Sequence, residues 1–172
     1  MLILSAGDAR EKCLTMTPTN NPNAVVVDAN ILIPICSKEQ LTYTLAESAF
    51  KTYAQNGWEF FAPNVIVAEG MFALCNKLQA GVLTQTGYEQ AIDFFVDYMQ
   101  FIQTPDDESS LMKRAVEIRG TYGCSRSSDG LYIALAEELS QSRVTEILTF
   151  DQGIKNQAAN HAPTVVLNLL KI

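Results

Sequence analysis

Short apolar runs alternate with amphipathic stretches along most of this 172-residue chain. The run Ala24-Val25-Val26-Val27 is β-branched and wholly apolar, which is typical of a strand buried on both faces of a sheet. Trp58–Phe61, Ile147–Phe150 and Val165–Leu170 have a similar character and predict further strands. Short apolar strands separated by helices favour an α/β fold with a parallel sheet that is covered on both sides.

The stretches between these strands predict helices. Asn64–Leu78 follows Pro63, and Gly87–Ile102 begins where Thr86 and Glu89 have the spacing of a capping box. We expect the apolar face of Gly87–Ile102 to be buried and its acidic residues, Asp93 and Asp97, to be exposed. The apolar stripes are Leu41, Leu45, Ala49 and Tyr53; Tyr88, Ala91, Ile92, Phe95, Met99 and Ile102; Leu111, Ala115, Ile118 and Tyr122, ended by Gly123; and Leu131, Ala134, Leu135 and Leu139.

The first 23 residues differ from the rest, because Thr17–Asn23 has a composition typical of turns and loops. We therefore expect an N-terminal arm or tail over residues 1–23 and a single domain over residues 24–172.

The formal net charge of -7 disfavours broad attraction to phosphate backbones, so a nucleic-acid contact would need a local basic patch or bound cations. The four cysteines form no C-x-x-C pair, and no apolar run approaches the ~20 residues of a membrane span. We expect a soluble, cytoplasmic protein.

Four carboxylates stand at positions that suit a common site. Asp28 and Asp151 each follow an apolar strand, and Asp129 stands where a helix begins. In open α/β sheets, ligands bind beyond the carboxyl ends of the strands, where helix N-termini also point. Glu69 interrupts an otherwise apolar helix, and such a charge is costly unless it is paired, exposed or bound to a metal.

Each carboxylate also has an ordinary structural interpretation. Asp28 could form an Asx-turn, Asp129 could be an N-cap, Asp151 could be a turn residue, and Glu69 could face solvent. These interpretations do not explain why the acids recur beside apolar segments. Carboxylates in a tight group repel one another and imply a cation, and Mg²⁺ prefers oxygen ligands. Such a site can activate a water molecule and stabilise charge on a phosphate.

The pattern resembles the PIN-domain nucleases over about residues 24–170. The resemblance rests on four segments in order: Val25-Val26-Val27-Asp28-Ala29-Asn30, Ala62-Pro63-Asn64-Val65-Ile66-Val67-Ala68-Glu69, Ser128-Asp129-Gly130-Leu131-Tyr132-Ile133-Ala134-Leu135-Ala136 and Ile147-Leu148-Thr149-Phe150-Asp151. It implies a three-layer α/β/α sandwich with a central parallel sheet, and cleavage of RNA phosphodiester bonds that depends on Mg²⁺ or Mn²⁺.

The resemblance also implies roles for individual residues. Asp28, Glu69 and Asp129 would be catalytic metal ligands, and Asp151 would be a fourth acid that acts directly or through water. Asn30 and Thr149 would support these acids. Many bacterial members are toxins restrained by an antitoxin, so the resemblance implies an antitoxin partner and a homodimer. Gly130 departs from the family, which more often has Ala there, and it should loosen the first turn of its helix.

The basic residues are sparse, and Lys113, Arg114, Arg119 and Arg126 are the densest set. A solvated helix face is their usual meaning, and a phosphate-contacting strip that leads to Asp129 is the functional alternative. Arg126 and Lys155 are weak candidates for substrate binding. His161, the one histidine, reads as an exposed loop residue without a role.

Two other functions are compatible with parts of this pattern. One is a catalytically weak binding module on the same fold, acting through protein or RNA partners. The other is a metal-dependent phosphohydrolase on a different α/β fold. Haloacid-dehalogenase-like enzymes would have a second Asp where Asn30 stands, which counts against that function.

Overall fold

The protein is described by a computed structural model over residues 21–120 and 128–171. Five strands form one all-parallel sheet: β1 (Ala24–Val27), β2 (Glu59–Phe61), β3 (Ile102–Gln103), β4 (Thr145–Thr149) and β5 (Val166–Leu169). The described residues also form seven helices: α1 (Ala29–Ser37), α2 (Tyr43–Gln55), α3 (Val65–Gln79), α4 (Gln85–Met99), α5 (Ser109–Arg119), α6 (Asp129–Ser140) and α7 (Gln152–His161).

The strand order is β3-β2-β1-β4-β5, so β1 lies at the centre of the sheet. Val26 pairs in register with Phe61 of β2 and with Ile147 of β4. The chain moves outward from β1 to β3 and then crosses back to β4, which reverses the winding direction. Right-handed crossovers then place α1–α4 on one face and α5–α7 on the other, and the helices contact one another in these two groups. The predicted three-layer α/β/α fold is confirmed.

The core lies on both faces of the central strands, as the apolar runs indicate. All four residues of β1 are inaccessible to solvent, and so are Ile147 and Leu148 of β4. Residues 24–27 form the predicted strand, and β2, β4 and β5 overlap the other three predicted runs. The prediction of a sheet buried on both faces is therefore confirmed where the β-branched apolar residues are densest.

Two helices differ from the apolar stripes assigned to them. Leu41 precedes α2 and is 79% exposed, and Leu45 is also exposed, so those two positions of the predicted stripe are wrong. The helix instead buries Ala46, Phe50 and Tyr53, because the chain turns through residues 38–42 before α2 begins.

The start and the end of α4 also differ from the prediction. The side chain of Thr84, rather than Thr86, caps the helix by accepting a hydrogen bond from the Gly87 backbone N–H at 3.1 Å. The helix ends at Met99, and Ile102 belongs to the edge strand β3. The orientation of the helix is as predicted: Phe95 is buried, Tyr88, Ile92 and Met99 pack against the core, and Asp93 and Asp97 are exposed.

The remaining predictions on organisation concern parts of the chain outside the sheet. Most of the predicted arm at residues 1–23, together with Tyr122, Gly123 and Arg126, lies outside the described residues. Among the described residues, no helix has the length and apolar character that a membrane crossing requires.

Candidate functional site

Asp28 stands where β1 ends and α1 begins, at the carboxyl edge of the central strand. Its backbone is still extended (φ -76°, ψ 146°), so the side chain can fold back over the first turn of α1. One carboxylate oxygen, Oδ1, accepts a hydrogen bond from the backbone N–H of Asn30 at 3.2 Å. The residue is only 7% exposed. Asp28 thus makes the Asx-type contact that its ordinary interpretation predicts, serves as the N-cap of α1, and is at the same time a carboxylate buried at the sheet edge.

Asn30 and Thr149 hold the second oxygen of Asp28 across the gap between β1 and β4. The Asn30 Nδ2 and the Thr149 Oγ1 each donate to Asp28 Oδ2 at 2.6 Å. Asn30 is oriented in turn by the Phe150 backbone N–H, which donates to its Oδ1 at 3.0 Å. The Asp151 backbone N–H donates to Thr149 Oγ1 at 2.8 Å. This hydrogen-bonded network joins the two strand ends from which the first and last predicted acids arise.

Burial is the largest influence on Asp28 and raises the pKa of its carboxyl group to about 7. The hydrogen bonds from Thr149 and Asn30 act in the opposite direction and favour the charged form. The carboxylates of Glu69 and Asp129 raise the pKa of Asp28 further, which requires them to lie near it. Three of the four predicted acids therefore share one electrostatic environment.

Glu69 lies one turn into α3 and is half-buried rather than fully solvated. Its Oε2 accepts a hydrogen bond from the hydroxyl of Tyr132 at 2.6 Å. Tyr132 is 1% exposed and stands three residues after Asp129 on the same helix, α6. Burial raises the pKa of Tyr132 far above its ordinary value, and the carboxylates of Asp28 and Glu69 raise it further, so the phenol stays protonated and donates.

Asp129 is the first residue of α6, after the N-cap Ser128, so its interpretation as the cap itself is wrong. Its Oδ2 accepts a hydrogen bond from Nε2 of Gln157 at 2.6 Å, and Gln157 on α7 is fully buried. Gly130 follows it at a close approach of helices: a Cβ there would lie 2.9 Å from the backbone oxygen of Ala115 on α5. Packing therefore explains the glycine at this position, because α5 occupies the space that a side chain would need.

Asp151 caps α7, the helix that follows β4. Its Oδ1 accepts a hydrogen bond from the Gly153 backbone N–H at 2.5 Å, and its own backbone is extended. Asp151 is therefore an N-cap where its ordinary interpretation was a turn residue, and the connection through Thr149 links it to the Asp28 network. Asp28 and Asp151 thus lie at neighbouring strand ends, where the winding direction reverses.

The donor atoms at this edge are carboxylate, amide and hydroxyl oxygens, which are the ligands that Mg²⁺ and Mn²⁺ prefer. A divalent cation would also relieve the repulsion between Asp28, Glu69 and Asp129. Within residues 21–120 and 128–171, however, no three His, Cys, Asp or Glu side chains are already arranged around a common metal position. These oxygen donors fit a hard cation such as Mg²⁺. Water molecules would have to complete the coordination of that cation.

The basic residues divide between structural and surface positions. Arg114 binds both carboxylate oxygens of Glu137, at 2.7 and 3.0 Å, and donates to the backbone oxygen of His161 at 2.8 Å. It therefore ties α5 to α6 and α7, which the interpretation as a solvated helix face does not include, while His161 ends α7 instead of lying in a loop. Arg119 lines a groove together with Ser128, next to Asp129. Lys155 is exposed on α7, and Arg126 lies outside the described residues.

Tyr132 and Gln157 are two residues of this site that the sequence pattern does not single out. Each lies within an amphipathic helix, where a buried aromatic or amide residue is ordinary. Their partners, Glu69 and Asp129, are 63 and 28 positions away in the chain. One indication in the sequence is that Tyr132 stands three residues after Asp129 and therefore shares its helical face.

No protein-family model matches the sequence, and no curated protein is significantly similar to it. Among the solved structures that share its fold are two protein complexes. VapBC2 from Rickettsia felis, bound to a DNA fragment from their promoter, aligns over 86% of this chain and 99% of the other, with a TM-score of 0.58 and 12% identity. FitAcB from Neisseria gonorrhoeae aligns over 83% of this chain and 95% of the other, with a TM-score of 0.53 and 13% identity.

Proposed function

We propose that this protein is a ribonuclease that depends on Mg²⁺ or Mn²⁺, with Asp28, Glu69 and Asp129 as the ligands of the ion. Asp151 is proposed as the fourth acid, acting directly or through water. The observation that carries the proposal is the placement of Asp28 and Asp151 at adjacent strand ends, joined through Thr149, at the reversal point of an all-parallel sheet. The PIN-like order of the four acid-bearing segments and the shared fold with VapBC2 and FitAcB support it further.

The side chains around the acids have separate tasks in this proposal. Asn30 and Thr149 donate to one oxygen of Asp28 and thereby fix the direction of the other. When bound, Mg²⁺ or Mn²⁺ would help to ionise a water molecule and would offset negative charge on the scissile phosphate. The cation also makes an RNA substrate compatible with a chain of net charge -7.

Substrate approach is proposed along the groove that Arg119 and Ser128 line beside Asp129. A guanidinium there would contact a phosphate without reading sequence, which is the usual role of such a contact. Lys155 and Arg126 are weaker candidates for the same task. Arg114 is not one of them, because its contacts with Glu137 and His161 tie it to neighbouring helices.

The proposal is tested with Asp28→Asn and Asp129→Asn, each of which removes one negative charge at nearly constant size. Cleavage of single-stranded RNA with Mn²⁺ or Mg²⁺ should fall about 100-fold or more in each variant, since several kcal/mol of stabilisation would be lost. Asp93→Asn is the matched control, because Asp93 is exposed on α4. Its activity should equal that of the wild type.

Two results would contradict the proposal. One is wild-type cleavage that persists in EDTA, and the other is equal activity of all three variants and the wild type. Calorimetric titration of the metal-free wild type with Mn²⁺ supplies a readout that does not depend on the choice of RNA. Absence of Mn²⁺ binding there would exclude the metal-dependent nuclease.

A second candidate function is a catalytically weak binding module that acts through protein or RNA partners. It is favoured by one observation: the described acids are not yet arranged as a group of three around a metal position. RNA binding without cleavage, unchanged by EDTA, would support this function. Mn²⁺ binding that depends on Asp28 and Asp129 would oppose it.

We also propose a small antitoxin partner and a homodimer. The resemblance to PIN-domain toxins implies such a partner, and the fold that this chain shares with VapBC2 and FitAcB supports it. Co-expression with the product of a short open reading frame immediately upstream should give a stable complex that lacks nuclease activity. Light scattering after size exclusion would give the mass of the chain with and without that partner.

A further inference from the structure

The hydroxyl of Tyr132 is bound to one of the acids. It donates to Glu69 Oε2 at 2.6 Å. The ring is 1% exposed and belongs to the core, so the hydroxyl has little freedom to move. A buried phenol that donates to a carboxylate is a fixed point from which that flexible side chain can be oriented.

The position of Tyr132 along α6 gives this contact a geometric consequence. Asp129 opens the helix, and Tyr132 stands three residues later on the same face. One rigid helix therefore carries both an acid and the group that orients a second acid on α3. The distance between Asp129 and Glu69 is thus controlled by α6 rather than by the three side-chain torsions of Glu69.

Only one oxygen of Glu69 is engaged in this way. Oε2 accepts the Tyr132 proton, and Oε1 accepts no hydrogen bond from the described residues. The long side chain would otherwise sample several rotamers at a half-exposed site. Holding Oε2 reduces that sampling and leaves Oε1 as the oxygen that could bind an ion.

We propose that Tyr132 is a positioning residue that orients Glu69 for metal binding through its hydroxyl group. The inference rests on the proposed function, because it takes Glu69 as a ligand of the ion. It goes beyond that function by assigning part of the metal affinity to a residue that touches neither metal nor RNA. Loss of such a supporting contact typically lowers metal affinity about 10- to 100-fold.

The test compares Tyr132→Phe with Tyr53→Phe in the full chain. Tyr53 is a matched control, because it is also buried and its hydroxyl also donates to a glutamate, Glu146, while accepting from Asn168. Each substitution therefore removes one buried phenol–carboxylate hydrogen bond, and the two should lower the melting temperature similarly. Only Tyr132→Phe should weaken Mn²⁺ binding in calorimetry, by about 10-fold. RNA cleavage by Tyr132→Phe should recover towards the wild-type rate at high Mn²⁺.

A double-mutant cycle separates orientation of Glu69 from general loss of structure. In a Glu69→Ala background, Tyr132→Phe should change Mn²⁺ affinity by less than about twofold, because its target is gone. An undiminished effect in that background would overturn the inference. The inference would also be overturned if Tyr132→Phe and Tyr53→Phe bound Mn²⁺ equally while the wild type bound Mn²⁺ and cleaved RNA. That result would leave the proposed function intact. A wild type that binds no Mn²⁺ would overturn both.

Discussion

Replacing Asp28 by Asn should remove a loss of stability at rising pH from the metal-free protein. Burial raises the pKa of Asp28 from 3.8 to about 7, and the carboxylates of Glu69 and Asp129 contribute. The folded protein therefore holds this proton more tightly than the unfolded chain does. It follows that the free energy of unfolding falls as the pH rises from about 4 to about 7. At about 1.4 kcal/mol for each pKa unit, the wild type loses ~4 kcal/mol over this range.

The asparagine variant avoids this loss but gives up part of the hydrogen-bonded network. All three polar neighbours of Asp28, namely the Asn30 N–H, the Asn30 amide and the Thr149 hydroxyl, donate to it. An asparagine side chain has one acceptor, the amide oxygen, and one donor group, the NH₂. At least one of the donating neighbours would therefore face another donor, at a cost of about 1–3 kcal/mol. The variant should thus be ~1–3 kcal/mol more stable than the wild type at about pH 8 and no more stable at about pH 4.5.

Urea unfolding followed by circular dichroism, in EDTA at several pH values, measures both effects. Asp93→Asn on the exposed face of α4 removes the same charge without the burial and serves as the control. The reasoning would be refuted if the Asp28→Asn and wild-type curves of stability against pH ran parallel. It would also be refuted if the control reproduced the effect.

Two further substitutions test the packing and the network around the site. Gly130→Ala should destabilise the protein by about 1–3 kcal/mol, because the new Cβ would meet the Ala115 backbone where α5 and α6 approach. A stability equal to that of the wild type in urea unfolding would contradict this close approach. Thr149→Val should cost about 1–3 kcal/mol by depriving the Asp151 N–H and Asp28 Oδ2 of a partner, whereas Thr52→Val on the exposed side of α2 should cost less than about 0.5 kcal/mol. Equal unfolding midpoints for the two threonine variants would argue against the network.

The parts of the fold that could be predicted are those in which local pattern and burial agree. A wholly apolar β-branched run such as Val25–Val27 has few alternatives to a central strand, and the acid that follows it then falls at the carboxyl edge. α1 was not predicted, because Pro34 interrupts its apolar residues and removes a backbone donor. The start of α4 was misplaced because both Thr84 and Thr86 can cap a helix, and tertiary packing selects between them.

The candidate site divides in the same way. Asp28, Glu69, Asp129 and Asp151 stand out as charges beside apolar segments, so the sequence alone identifies them as candidates. Tyr132 and Gln157 contribute contacts that join separate helices, and such contacts depend on how α3, α6 and α7 pack. No local periodicity contains that information, because a buried Tyr or Gln in an amphipathic helix is compatible with many partners.

The central position of β1 has a consequence for biosynthesis. Asn30 emerges early from the ribosome, and its partner Thr149 is 119 positions further along the chain. At ordinary rates of translation, that partner follows on the order of ten seconds later. Until then one edge of β1 has no strand beside it, and Asp28 lacks the contacts that hold its second oxygen. For a chain proposed to cut RNA, this delay would keep the site incomplete until β4 has been synthesised and has paired with β1.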